Sequence, residues 1–276
     1  MLVRPFSLQR AGIAPRVATA LPLTLTVLVV ATLFVAAPWP LEQKAHAALH
    51  GLCTQRPSHS MILGDQILPF DARMTGIYTG FLVSGLYLTA RGRLHRQRLA
   101  SLPTMVLSSL FVGAMAVDGV NSFLVDAGMR SLYPPANWLR LMTGLLTGTV
   151  LAPIVVYLLA STLWRPGRDQ RPVISGGTDL LVIAALQSPL ALLLHTGSGL
   201  LFAPTTLLLL TAALTMITAV MLVVIVLVWH GDGAFSDTRQ VQLPALVAFG
   251  LAIAVLGVLG GGRFLLERLI DAPALT

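Results

Sequence analysis

Four side chains close together in the chain have the makings of a metal or acid–base site: His50, Cys53, His59 and Asp71. With His46 added, His46, His50 and Cys53 are spaced i, i+4, i+7. On a helix that spacing sets two imidazoles and a thiol on one face. Zinc accepts nitrogen, sulfur and carboxylate donors of this kind. The same residues also fit a plain interfacial helix, with histidines toward headgroups and Cys53 as a small buried hydrophobe. The spacing leaves both readings open. His59 and Asp71 are the candidates for acid–base catalysis.

A second group suits anions. Gln55, Arg56, Arg73 and Tyr78 lie in or beside the same stretch, and Asp118, Asn121, Asn137 and Arg140 follow at the ends of later apolar runs. Guanidinium forks match phosphate and carboxylate oxygens. Asp118 offers an ion pair to Arg73 or Arg140, which would make a buried brace instead of a ligand site. Brace and site coexist if Asp118 neutralises only one of the two arginines.

The elements that must hold these residues are membrane helices. Charged residues make up 11% of the 276-residue chain and hydrophobic ones 55%. A soluble domain carries roughly 25% charged residues. This excludes disorder, a coiled coil and an ordinary soluble enzyme. The net charge of +7 is scattered between apolar runs, so its partner is a lipid bilayer surface and not nucleic acid. The expected fold is all-α: a polytopic integral membrane helix bundle of about seven transmembrane helices in a single membrane domain, 1–276. Residues 1–17 form a cytoplasmic N-terminus, 18–37 the first span, and 38–73 an outer loop. Spans two to four (74–90, about 100–117, and a fourth starting at 141) occupy the segment 74–162. Spans five to seven (177–196, one within 196–229, and 241–262) fall within 177–262. An amphipathic tail, 263–276, follows. Asp118 is read at the outer end of the third span, Asp179 in the interface and Gly260-Gly261-Gly262 as a flexible exit. Pro204 marks a bend or an interfacial start. Ala45-His46-Ala47 would allow the first span to be a cleaved signal, but its long apolar run favours a span.

Most of the 18 Lys and Arg residues sort to one side. Arg4, Arg10, Arg16, Arg91, Arg93, Arg96, Arg98, Arg165, Arg168, Arg171 and Arg239 occupy alternate loops, and that side is expected to be cytoplasmic in the inner membrane. On the other side acids and bases balance, so the whole net charge falls on the Arg-rich side. The longest loop, 38–73, is shorter than the roughly 50 residues of a small independent domain. Function therefore sits in the bundle or at its outer face. One cysteine excludes an intramolecular disulfide. GxGxxG, P-loop, HExxH and GxSxG patterns are absent.

Several motifs carry a family resemblance. They are Cys53-x-Gln55, His59-Ser60, Ala72-Arg73-Met74-Thr75-Gly76-Ile77-Tyr78-Thr79-Gly80, Asp118-Gly119 and Asn137-x-x-Arg140-x-x-Thr143-Gly144. Together they resemble a prokaryotic family of predicted membrane proteins known only as a domain of unknown function, numbered twenty eighty-five. The resemblance covers about 48–153. It implies a second cysteine where this chain has Asp71, which puts shared thiol or Cys-rich metal chemistry in doubt.

Met74-Thr75-Gly76-Ile77-Tyr78-Thr79-Gly80 and Met142-Thr143-Gly144-Leu145-Leu146-Thr147-Gly148 are also similar to each other, and each starts just after an arginine. Small-xxx-small faces let helix backbones approach closely. Either the two helices pack through these faces or they hold equivalent places in two repeats, unless the likeness is chance. Packing would bring Arg73 and Arg140 together. The functional expectation is an outer-face site that binds or acts on an anionic or lipid-linked ligand, with zinc left open. The alternatives are a non-catalytic assembly or binding subunit and, with less support, a transporter.

Overall fold

The computed structural model describes residues 35–271. The first expected span, 18–37, lies almost wholly outside them, as do the N-terminus and residues 272–276. The chain forms helix α1 (Leu41–Leu49), a 3-10 turn (Pro57–His59), strands β1 (Ser60–Leu63) and β2 (Gln66–Asp71), and helices α2 (Ala72–Ala90), α3 (Leu102–Asp126), α4 (Asn137–Leu163) and α5 (Gly177–His195). A second 3-10 turn (Gly199–Leu201), α6 (Phe202–Val228) and α7 (Thr238–Asp271) complete it. Among the described residues five helices, α3 to α7, are long and apolar enough to cross a membrane. Helix α2 was expected as a span but is less apolar. It buries Thr75, Thr79 and Ser84 inside the bundle.

Four expectations need correction. The fold is not purely helical, because the 38–73 loop carries an antiparallel hairpin that pairs Ile62 with Ile67 and Leu63 with Gln66. Gly64, at φ +64°, supplies the left-handed turn residue, which glycine adopts without a Cβ penalty. Leu63, Leu68 and Phe70 are fully buried, so the hairpin caps one end of the bundle. Second, α1 stops at Leu49, so Cys53 does not share a helical face with His46 and His50. Third, α3 runs past Asp118 to Asp126. Fourth, α7 continues unbroken through Gly260-Gly261-Gly262 to Asp271, so the triplet is not an exit. Pro204 falls in the first turn of α6, where its missing N–H leaves no helical bond unmade.

The loops sort into the two groups that the charge pattern separated. At the hairpin end, Gly64 N donates to Gly197 O at 2.7 Å and Arg56 pairs with Asp126. At the Arg-rich end, Val173 N donates to Arg98 O at 2.7 Å and Gly233 N to Thr162 O at 2.8 Å.

The centre of the bundle is the contact between α2 and α4, which both run from the hairpin end to the Arg-rich end. A Cβ on Gly76 would collide with Leu141 O, and one on Gly80 with Leu145 O. One on Gly144 would collide with Arg73 O, and one on Gly148 with Ile77 O. Backbone therefore meets backbone at all four glycines, through the two faces that the sequence repeat singled out. Gln187, from α5, bridges the same region by donating to Thr149 Oγ1 at 3.0 Å and Gly80 O at 3.4 Å. A Gly144→Leu variant is expected to lose about 3 kcal/mol or more through overpacking. Gly113→Leu, where a Cβ meets nothing within 4 Å, is expected to melt like the parent protein. Thermal unfolding in detergent micelles checks the contrast.

Candidate functional site

Arg73 lies in the first turn of α2, and Asp118 and Ser122 lie one turn apart on α3. Arg73 Nη2 donates to Asp118 Oδ2 at 2.6 Å and to Ser122 Oγ at 3.3 Å. Tyr133 OH donates to Asp118 Oδ1 at 3.2 Å. Asp118 is 1% exposed. A carboxylate so deep inside a membrane helix requires such partners. The ion pair therefore forms with Arg73, and Asp118 is spent on that brace.

Arg140 is 6% exposed and has a different environment. Its Nη1 donates to Asn137 Oδ1 at 2.7 Å, and its Nε to the shared Ser122 Oγ at 3.4 Å. Among the described residues it forms no ion pair with a carboxylate. Asn137 in turn donates from its amide to Ser58 O at 3.2 Å and Ser60 O at 3.1 Å, which ties α4 to the hairpin. His59 sits nearby, with Nε2 3.5 Å from Asp126 Oδ1. Arg56 Nη1 lies 2.9 Å from Asp126 Oδ2. Burial and then the charge of Arg140 push the His59 pKa below its usual value, against the pull of Asp126. Arg140, Arg56, His59, Asn137 and Ser122 thus gather where the hairpin, the end of α3 and the start of α4 meet.

Of the proposed metal donors, Cys53 and Asp71 meet each other, while the histidines turn to other partners. His46 Nε2 bonds Ile67 O at 3.1 Å. His50 stacks on Phe264 with centroids 4.0 Å apart, and its nitrogens reach Gln55 Oε1 at 2.9 Å and Glu267 Oε2 at 2.8 Å. Cys53 Sγ donates to Asp71 Oδ2 at 3.5 Å and accepts the backbone N–H groups of Gln55 and Asp71. Burial, reinforced by the Asp71 charge, raises the thiol pKa. Among the described residues no group of three or more His, Cys, Asp and Glu side chains could hold a metal. The expected zinc site therefore gains no support from these residues.

Asp71 does two jobs: it meets Cys53, and its Oδ1 caps α2 by accepting from Met74 N at 2.8 Å. Its charge also acts on the His59 imidazole, raising its pKa against the effect of burial. Tyr78 stacks on Phe70 at 4.6 Å inside the core, away from the polar group. Asn121 braces the following loop, accepting from Leu132 N at 2.7 Å and donating to Tyr133 O at 2.9 Å. Gln55 is a hub at φ +55° whose amide donates to His46 O and Pro69 O at 2.9 and 3.0 Å.

Sequence reasoning missed several participants. Arg263 on α7 donates to the carbonyls of His50, Cys53 and Thr54, and pairs with Glu267 at 2.7 Å. Ser122 and Tyr133 carried no spacing signal. At the Arg-rich end, Asp179 is buried in the first turn of α5. Arg93 grips it with both terminal nitrogens, at 2.6 and 3.0 Å, and Tyr87 donates to it at 2.6 Å. An unpaired partner there would be costly, and its position at the start of α5 was the one available hint.

The Cys53 loop is testable. Gln55→Ala removes three hydrogen bonds and leaves a positive φ, so it is expected to cost about 2–3 kcal/mol in a micelle denaturation series. Cys53 is expected to resist maleimide at pH 7 until the protein unfolds. Rapid labelling of the folded chain would contradict its placement.

No curated protein and no solved structure significantly matches this chain. One family model does, over a segment that runs from Cys53 through α2 and α3 into α4 and carries Gln55, His59, Arg73, Asp118, Asn137 and Arg140. Residues 53–154 match the family described as predicted membrane protein (DUF2085), a family of unknown function.

Proposed function

We propose that this multi-pass membrane protein binds an anionic group at Arg140, on the end of the bundle capped by the hairpin. The chemistry recognised is phosphate or carboxylate, free or carried by a lipid-linked molecule. The observation that supports this reading is the unequal treatment of two neighbouring arginines. Arg73 has Asp118, while Arg140 is nearly as buried as Asp118 and has no carboxylate among the described residues. A buried cation without a counter-charge is costly, and an incoming anion would relieve that cost. Arg56 and a protonated His59 would add charge beside it.

The reading is one of binding and not catalysis, because Asp71 is committed to capping and to Cys53. Zinc is not part of it. The excess of arginine at the opposite end supports an orientation in the inner membrane with that end cytoplasmic and the hairpin outside. Transport has little support, since the interior side chains Gln187 and Asp179 are each bonded to neighbouring side chains.

Sulfate is a suitable probe because it does not titrate near neutral pH. Added to the full-length protein in neutral detergent, it is expected to raise the melting temperature of the parent protein. In Arg140→Gln its affinity falls about 10–100-fold, the range for losing hydrogen bonds from a charged group. The pH dependence has a definite sign. The His59 pKa is depressed in the free protein, and a bound anion raises it. Binding therefore takes up a proton and tightens as pH falls through the histidine range. His59→Gln is expected to flatten that dependence. Equal stabilisation of Arg140→Gln and parent by sulfate would overturn the proposal and leave a structural brace.

A further inference from the structure

A second feature lies away from Arg140. Between α1, α6 and α7 runs an apolar groove of about 610 Å³, with Leu210, Leu214 and Ile253 among its walls. It is continuous with a hollow of about 460 Å³ bounded by Trp39, Leu265 and Arg268, because Gly261 and Phe264 line both. The groove has a sequence cause. Gly257 and Gly261 strip side chains from that stretch of α7, and a Cβ on either would meet nothing within 4 Å. Just beside them α7 is fixed to the loop after α1. A Cβ on Gly51 would strike the backbone at Leu259 and Gly260, and Arg263 holds the carbonyls of His50, Cys53 and Thr54. The helix is pinned at that point and hollow next to it.

The two ends of this feature differ chemically. The groove offers no hydrogen bonds: its one hydroxyl, on Thr211, donates to Leu207 O of its own helix at 2.8 Å. An extended peptide would leave its backbone unsatisfied there, whereas a hydrocarbon chain asks for no partner. The volume falls within the 300–1,000 Å³ typical of ligand clefts. At the mouth, Glu267 is engaged by Arg263 and His50. Arg268 is exposed and brings a cation to the rim of the hollow. Exposed Trp39 stands beside it, a side chain suited to the headgroup level.

We propose that this groove seats an acyl chain of one anionic phospholipid, with its headgroup phosphate at Arg268 and Trp39. Charge complementarity at the mouth selects the anionic lipid, and the glycines of α7 make room for its chain. The site is independent of the Arg140 proposal and shares no residue with it.

The test uses the full-length protein in nanodiscs of equimolar phosphatidylglycerol and phosphatidylcholine, each in turn carrying a photoactivatable acyl chain. Peptides containing Leu210 or Ile253 are expected to be labelled by phosphatidylglycerol about fivefold more than by phosphatidylcholine, the ratio for one arginine at an anionic surface. Gly257→Phe should abolish that labelling without lowering the melting temperature, and Gly261→Leu serves if the first variant folds poorly. Arg268→Gln should keep the labelling and lose the preference. Undiminished labelling in both glycine variants, equal labelling of the parent protein by the two lipids, or cross-links from the groove to residues 18–34 or to a second copy in place of lipid would each overturn the proposal.

Discussion

The contact of α2 with α4 is the constraint on which the hairpin end depends. Inside a bilayer, lipid tails are as apolar as leucine, so helices gain little from hiding apolar surface against each other. Close packing and hydrogen bonds must do that work. Gly76 and Gly80 against Gly144 and Gly148 bring two backbones into direct contact, and that contact fixes the register of the parallel pair. Arg73 O itself abuts Gly144. The two arginines at the heads of these helices therefore reach the same hydroxyl, Ser122 Oγ. Their meeting follows from the glycine register.

Two guanidiniums then share a space that contains one buried carboxylate. Asp118 pairs with Arg73, and this fastens α3, whose surface is otherwise mostly exposed, to the core. Arg140, beneath the hairpin, has only neutral hydrogen-bond partners among the described residues. The cap above it is rigid for identifiable reasons: Gln55 stitches α1 to β2, Arg263 clamps the Cys53 loop from α7, and Asn137 ties α4 to the residues leading into β1. A cation held by neutral hydrogen bonds in a rigid setting needs no rearrangement to meet an anion, which is the physical content of preorganisation.

Much of this was legible in the sequence. The paired Met-Thr-Gly segments identified the α2–α4 interface, because glycine at four-residue spacing has a steric meaning independent of context. Among the described residues, alternate loop charge sorted the connections correctly, since it reflects which loops share an end. The hairpin was not legible, because Ser60–Leu63 and Gln66–Asp71 are short apolar runs that propensity alone does not separate from helix or loop. The metal reading gains no support, because the helical face it invoked for Cys53 ends with α1 at Leu49. Partners far apart in sequence, such as Arg263 with the Cys53 loop and Arg93 with Asp179, follow from tertiary packing and leave no local trace.

Double-mutant cycles measure the central claim most directly, using Arg73→Gln, Arg140→Gln and Asp118→Asn in the full-length protein unfolded from detergent micelles. The account predicts a coupling of about 2–3 kcal/mol between Arg73 and Asp118, and less than about 0.5 kcal/mol between Arg140 and Asp118. A coupling of Arg140 to Asp118 equal to or larger than that of Arg73 would contradict it.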